Sequence, residues 1–373
     1  MIWWRTGTVV AVDRTRPGAV EGRARLDRPV GERDEVRVLA YTDVTGPLAV
    51  GDTVLLTVTA LALSLGTGGY ALVAGPADPG AVPDPSAPGH LVKARYLPLQ
   101  VAVQGADEQG SPHHALLEHG ARLDGLPVVV ADLHSALPAV VAGVLATRPE
   151  ARIVYVMTDG GALPMAFSRT VTALGDRLAG TITCGQAFGG SIECVSLHSA
   201  LQAASLVLRA DLVVVSQGPG NLGTGTKWGF SGVAAGDAVN AVSVLGGRPV
   251  GALRLSDADP RPRHAGVSHH SLTAFGEVAL RTADLPVPAG LPPALRARVD
   301  AQVLPLRPLH RVVDVSVAGL LDALRSLDVE MTSHGAAMST MGRGLAGDTW
   351  YFLAAAAAGR HAATLLDTEG GAG

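Results

Sequence analysis

Apolar positions along this chain fall into two patterns. Up to about residue 75 they sit in short β-rich runs, at 8–12, 34–40 and 53–59, separated by Gly, Pro and Asp at close spacing. Gly51-Asp52 before Val54-Leu55-Leu56 reads as the turn that leads into a strand of a small barrel. The pattern predicts a compact all-β domain of about five or six strands. The run Leu65-Gly66-Thr67-Gly68-Gly69-Tyr70 closes that domain with a tight backbone path. A phosphate loop is the sharper reading of the same run, but it has no lysine and no evident following helix.

From Leu126 the period changes. Largely apolar runs at 127–131, 152–157, 180–184, 212–215 and 249–255 alternate with helix-like stretches at 135–147, 163–174, 196–209, 235–244 and 271–281. Such strands followed by helices indicate a doubly wound, mostly parallel sheet covered on both faces. Residues 90–104 read as extended, with a strand beginning near Tyr96-Leu97-Pro98-Leu99, and 113–119 as a short helix after Ser111-Pro112. Residues 283–298 read as a Pro-rich return, followed by a strand at 312–317 and helices at 320–327 and 351–361. The alanines 354–358 permit close packing of the last helix against a neighbour. The expected organisation is therefore an all-β domain over 1–75, a Pro/Gly linker over 76–89 and an α/β domain over 90–373, with its ligand cleft at the carboxyl ends of the strands.

Composition narrows the function classes. Charged residues are 17 % and the formal net charge is −4, so no basic surplus points to nucleic acid. The longest apolar stretches fall short of the roughly 20 residues that span a bilayer, and no membrane association is expected. The N-terminus MIWWRTG lacks a signal-peptide pattern. With two cysteines, a reducing cytoplasm is the expected compartment. A homo-oligomer stays open, and no cofactor is assigned.

Polar residues collect at the predicted strand ends. Asp132, His134 and Ser135 follow the first, and Thr158, Asp159 and Gly160-Gly161 the second. Gly185, Gln186 and Phe188 follow the third, and Gln217 with a glycine loop the fourth. After the fifth come Ser256, Asp257 and Asp259, then Arg261, Arg263, His264, Ser268, His269 and His270. Asp and Ser at such places are often plain helix caps, but five strand ends in register indicate a shared cleft. Asp132, His134, Asp159, Asp257, His269 and His270 are the candidate catalytic groups, and Gln186, Arg261 and Arg263 are candidate ligand contacts. Cys194 and His198 are spaced i, i+4 on a predicted helix, a spacing that holds metal only with a third ligand. Cys184 reads as a core thiol.

The glycine loop, PGNLGTGTKWGFSG from Pro219 to Gly232, carries one of the two lysines of the chain, Lys227, and one of its two asparagines, Asn221. Gly218, Gly220 and Gly223 satisfy G-x-G-x-x-G after a strand, but no helix opens at once, and Gly225-Thr226-Lys227 misses the Walker spacing. The reading is a non-standard nest of backbone N–H groups around Gly218, Gly220, Asn221, Gly223, Thr224, Gly225 and Thr226, with Lys227 as a point charge for a small anionic ligand.

Several runs carry a resemblance: the segment 65–70, Tyr155-Val156-Met157-Thr158-Asp159-Gly160-Gly161-Ala162-Leu163-Pro164, Gly185-Gln186-Ala187-Phe188-Gly189-Gly190, the glycine loop, Ser268-His269-His270-Ser271-Leu272-Thr273-Ala274 and Met341-Gly342-Arg343-Gly344. They resemble a bacterial family catalogued as domain of unknown function 3866, and the resemblance implies no activity. The residues themselves favour an enzyme acting on a small phosphorylated or carboxylated metabolite. The alternatives are a non-catalytic ligand-binding or regulatory protein and a metal-dependent hydrolase built on Asp and His.

Overall fold

The computed structural model describes residues 2–65, 68–78 and 89–366. By its contacts the chain divides into two units, one up to Gln104 and one from Gly105 onward.

In the first unit, alternation builds a closed barrel. Its strands β1 (Trp4–Arg16), β2 (Ala19–Val30), β3 (Arg33–Tyr41), β4 (Thr53–Thr57) and β5 (Ala71–Pro76) run in the order β1-β2-β3-β5-β4, and β4 pairs back onto β1. Two single-turn helices, α1 (Thr42–Thr45) and α2 (Thr59–Ala62), connect strands. Val9, Val20, Val36, Val38, Val54, Leu56 and Val73 fill the interior. Glu21 is buried, pairs with Arg16 at 3.4 Å and accepts from the Tyr70 hydroxyl at 2.6 Å. Part of the glycine run before Tyr70, and most of the Pro/Gly linker, lie outside the described residues. A short hairpin, β6 (Leu91–Lys93) with β7 (Val101–Val103), belongs to this unit, and Tyr96 sits in its turn at φ +63° rather than in a strand.

The second unit opens with the short helix α3 (His114–Leu117) and is organised on an eight-stranded parallel sheet. Its strands are β8 (Pro127–Ala131), β9 (Ile153–Thr158), β10 (Gly180–Thr183), β11 (Ile192–Glu193), β12 (Leu212–Gln217), β13 (Arg248–Ala252), β16 (Asp284–Pro288) and β17 (Arg311–Val315), in the order β11-β10-β9-β12-β8-β13-β16-β17. A small antiparallel pair, β14 (Leu255–Ser256) with β15 (Gly266–Val267), interrupts the sequence between β13 and β16. Side chains alternate between two buried faces. Val129, Tyr155 and Val214 pack under α4 (Leu137–Leu145), α5 (Arg169–Leu174), α10 (Leu320–Ser333) and α11 (Thr349–Thr364). Val128, Val154, Val156, Val213 and Val215 pack under α6 (Leu197–Leu206), α7 (Ala234–Val244), α8 (His269–Thr273) with the π turn that follows it, and α9 (Pro293–Val303). Strands buried on both faces must be apolar throughout, which is why their runs were continuous in the sequence.

The alanine run of α11 does what its composition implied: Ala354–Ala358 is wholly buried, and the two helices close on each other at Gly143 of α4 and Gly359 of α11. A Cβ at either glycine would meet a backbone carbonyl of the partner helix. The Pro-rich return is corrected. Residues Asp284–Pro288 form a buried strand between β13 and β17, and Pro293 opens α9. Pro286 and Pro288 have no N–H to give, and pairing with β13 is limited to Val250 with Asp284, while β17 pairs along the whole strand. Proline density hid a strand that needs only one full ladder. Among the described residues no helix is long and apolar enough to cross a membrane.

Candidate functional site

The chain leaves β8 toward α4 on one face of the sheet, while its neighbours β12 and β13 lead to α7 and α8 on the other. The chain therefore diverges on both sides of the carboxyl end of β8, which is where open α/β sheets hold ligands. Asp132 stands directly after β8 and is 3 % exposed. Gln217, the last residue of β12, donates from Nε2 to the Asp132 backbone carbonyl at 2.7 Å and to Asn221 Oδ1 at 2.8 Å. Asn221 Oδ1 also accepts from Ser231 Oγ and Gly232 N, each at 3.1 Å, so one side chain ties together the two ends of the glycine loop. A cavity of about 330 Å³ opens here, with Asp132, Asp159, Gln217, Ser196, His198 and Ser231 in its lining.

On the other side of Asp132, the excursion from Arg254 to Ser271 folds back on itself. Leu255 pairs with Val267, Arg254 O accepts from Ser268 N at 2.8 Å, and Arg254 N donates to Ser271 Oγ at 2.9 Å. Ser268 caps α8 by accepting from His270 N, and its hydroxyl lies 2.7 Å from His264 Nδ1. These closures bring three imidazoles together. The ring centroids of His264, His269 and His270 are 4.4–5.0 Å apart, and one ring nitrogen from each lies within 4.8 Å of the others. Phe230, from the end of the glycine loop, stacks on His270 at 3.8 Å. Burial, and then the positive charge of Arg254, pulls His264 down to about 3; burial, and then His270, pulls His269 down to about 4. Both rings are neutral at physiological pH. His270 Nδ1 is 3.3 Å from Arg254 Nη1 and 3.7 Å from Asp132 Oδ2.

An arginine–carboxylate network flanks the imidazoles. Buried Asp259 receives Arg261 Nε at 2.9 Å and Nη2 at 2.7 Å, and Arg343 at 3.1 Å, with Arg254 Nη2 at 3.5 Å. Hydrogen bonds from Arg261 hold its carboxyl far below the usual range, against the opposing effect of burial. Arg343 also pairs with Asp348, which accepts from Ser256 Oγ at 2.8 Å. Four buried atoms in this neighbourhood lack a hydrogen-bond partner: Asp132 Oδ2, Gln217 Oε1, Arg254 Nη2 and His269 Nε2. Each such group costs about 1–3 kcal/mol, and their concentration at adjoining strand ends sets this crevice apart from an ordinary core.

The expected residues separate into those that meet here and those that do not. Asp132, His269 and His270 converge. Asp159 lines the cavity from the far side and accepts from Gln186 N at 2.9 Å, while Gln186 itself is exposed. His134 is interior, its ring nitrogens 2.9 Å from the Tyr155 hydroxyl and 2.6 Å from Ser168 Oγ, and burial lowers it to about 4. Asp257 is exposed, and the buried network belongs to Asp259 two residues on. Arg261 is committed to Asp259, whereas Arg263 is exposed and reaches toward Gly225. Cys194 precedes α6, which begins at Leu197, so Cys194 and His198 do not share a helix.

The glycine loop stands largely exposed and bonds to itself. Thr224 N donates to Gly229 O at 2.8 Å, Gly229 N to Thr226 Oγ1 at 3.1 Å, and Leu222 N to Ser231 Oγ at 3.0 Å. Gly218 is needed for close approach, because its Cβ would meet the Ala162 backbone, and Gly220 takes a φ of +88°. Gly223 and Gly225 continue the exposed turn. Lys227 Nζ pairs with Glu277 at 2.8 Å on the surface.

Arg254, Phe230, Arg343 and Asp348 escaped the candidate set. Arg254 was absorbed into the apolar run 249–255, although an arginine there broke the pattern; Arg343 stood in plain view in Met341-Gly342-Arg343-Gly344. Phe230 carried no signal beyond its place beside glycines. No curated protein and no solved structure matches the chain. A family model does match, over residues 37–359, from within β3 of the barrel to α11. The chain belongs to the family described as Protein of unknown function (DUF3866).

Proposed function

We propose that the crevice at the ends of β8, β12 and β13 is the active site of an enzyme that acts on a small anionic metabolite, phosphorylated or carboxylated. One observation carries the reading: Asp132 Oδ2, Arg254 Nη2 and His269 Nε2 are buried without hydrogen-bond partners around His270, while Gln217 Oε1 is likewise unpartnered on the cavity side, against Gly160. A ligand that carries both an anionic group and a hydroxyl or amide would satisfy the first three. Arg254, buried and already oriented by Asp259, supplies the fork for the anion. Asp132, beside His270, supplies the carboxylate that accepts a proton from the ligand. The exposed glycine loop contributes through Asn221 and Phe230, which fix Gln217 and His270. The scarcity of cysteine, with Cys184 and Cys194 both buried, fits a reducing cytoplasm.

The test combines binding with turnover. Compounds that raise the melting temperature of the parent are measured by calorimetry on the parent and on Asp132→Asn, then assayed for conversion. The reading expects Asp132→Asn to lose turnover by about 10²-fold or more, the usual scale of a positioned acid or base, with affinity changed far less. Binding at the crevice without conversion would make the chain a ligand-binding protein. Conversion unaffected by Asp132→Asn would remove the proposed base.

A further inference from the structure

We propose that His264, His269 and His270 bind a divalent transition-metal ion of the zinc class, as three protein ligands that leave a coordination position for water or ligand oxygen. Three imidazoles and an open position form a pattern used by catalytic zinc sites, and neutral imidazole suits zinc, cobalt, nickel or copper rather than calcium or magnesium. One nitrogen from each ring already lies within 4.8 Å of the others. Tetrahedral nitrogens at the usual zinc distance are about 3.4 Å apart, so the rings must close by roughly an ångström, within reach of small side-chain rotations.

The surroundings supply what such ligands need. A metal-bound histidine donates its second N–H to an oxygen that fixes its tautomer. His264 has Ser268 Oγ at 2.7 Å from Nδ1. His270 Nδ1 faces Arg254 at 3.3 Å, which as a donor would leave the ring proton on Nε2. Metal binding at Nε2 would reverse that tautomer and turn Arg254 Nη1 away from the Nδ1 proton, whose acceptor is then Asp132 Oδ2, 3.7 Å away, 3 % exposed as a residue and without a hydrogen-bond partner. His269 Nε2, also buried and unpartnered, gains a metal bond. Phe230 stacked on His270 holds that ring plane. Arg254, Arg261 and Arg263 oppose a cation here, but Asp259 engages Arg254 and Arg261, and Asp132 adds a carboxylate. The rival account is three neutral rings packed as core, and it gives no partner to Asp132 Oδ2 or His269 Nε2.

The metal would give the crevice a Lewis acid, so its catalytic meaning rests on the function proposed above, although its binding does not. Full-length protein, stripped with chelator, is titrated with Co²⁺ alone and followed by visible absorption, with Zn²⁺ displacing it in calorimetry. One ion per chain with a low-coordinate cobalt spectrum is expected. His269→Gln and His264→Gln are expected to weaken binding at least 100-fold, Asp132→Asn about 10–100-fold, and His198→Gln not at all. Circular dichroism of each variant separates lost ligands from lost fold, and His269, half-buried at the first turn of α8, is the more tolerant site. Absence of stoichiometric cobalt binding by the parent, or binding that survives both His264→Gln and His269→Gln, would overturn the proposal. Metal binding without any metabolite binding would leave it standing and sink only the anion reading; metabolite binding without metal would do the reverse.

Discussion

Two segments follow the strands on either side of β8 in the same sheet and invite the same functional reading, yet they are built in opposite ways. The glycine loop after β12 is exposed, its polar groups pair with one another, and its lysine is matched on the surface by Glu277. The excursion after β13 buries Arg254, Asp259, His264 and His270, and Arg254 Nη2 and His269 Nε2 find no hydrogen bond there. Rarity in sequence drew attention to the first. Unpaid desolvation marks the second. An exposed loop that satisfies itself needs no ligand, whereas a buried group with no partner is costly until one arrives.

The comparison breaks most visibly at Arg254. Arg254→Met removes a buried cation but leaves Asp259 with Arg261 and Arg343, and is expected to cost about 1.5–3 kcal/mol of stability, the scale of hydrogen bonds to charged groups, read by urea unfolding. A loss below about 1 kcal/mol, the range of an exposed pair, would mean that this network is no different from the surface. Next in size is an interior control. His134 is neutral in the fold, lowered to about 4 by burial, while the unfolded chain takes up its proton near the ordinary value of 6.5. Between those values the unfolded state binds more protons, so stability rises with pH and is lost as pH falls from about 6.5 toward 4. The full effect is up to about 3 kcal/mol at 1.36 kcal/mol per unit. His264 and His269 are lowered over the same window, so His134→Asn is expected to reduce that slope by its own share; an unchanged slope would place the proton elsewhere.

Smaller effects belong to the loop. Gly220 takes φ +88° with open space around its Cβ position, so Gly220→Val is expected to cost about 1–2 kcal/mol in backbone strain alone. Crevice binding should survive it. Lys227→Ala removes one exposed ion pair and is expected to change stability by less than about 1 kcal/mol. A larger loss would show that the loop is held by Lys227 and not by Asn221.

What the sequence made legible followed from local periodicity. Continuous apolar runs announced the parallel strands, and short alternating runs announced the barrel, because each pattern reports burial of one face or two. The strand Asp284–Pro288 was hidden by prolines that its sparse pairing with β13 tolerates. The histidines of the Arg261–His270 stretch were visible as a group. Their relation to Asp132 was not, since it depends on β13 lying beside β8, a neighbour set by the winding of the sheet rather than by any local pattern. Arg254 was hidden in an apolar run for the same reason: its charge is answered by Asp259, and only the folded hairpin brings the two within 3.5 Å.

We propose that ligand recognition resides with the excursion after β13 and not with the exposed glycine loop. The direct test is a melting-temperature measurement with phosphate, pyrophosphate, glycerol 3-phosphate, malonate and citrate on three proteins: the parent, Arg254→Lys and Lys227→Ala. Arg254→Lys keeps a charge for Asp259 but loses the planar fork. At least one anion is expected to stabilise the parent and Lys227→Ala equally, and to lose most of its effect on Arg254→Lys. Stabilisation lost in Lys227→Ala but kept in Arg254→Lys, or no stabilisation of the parent by any of the five, would contradict the account.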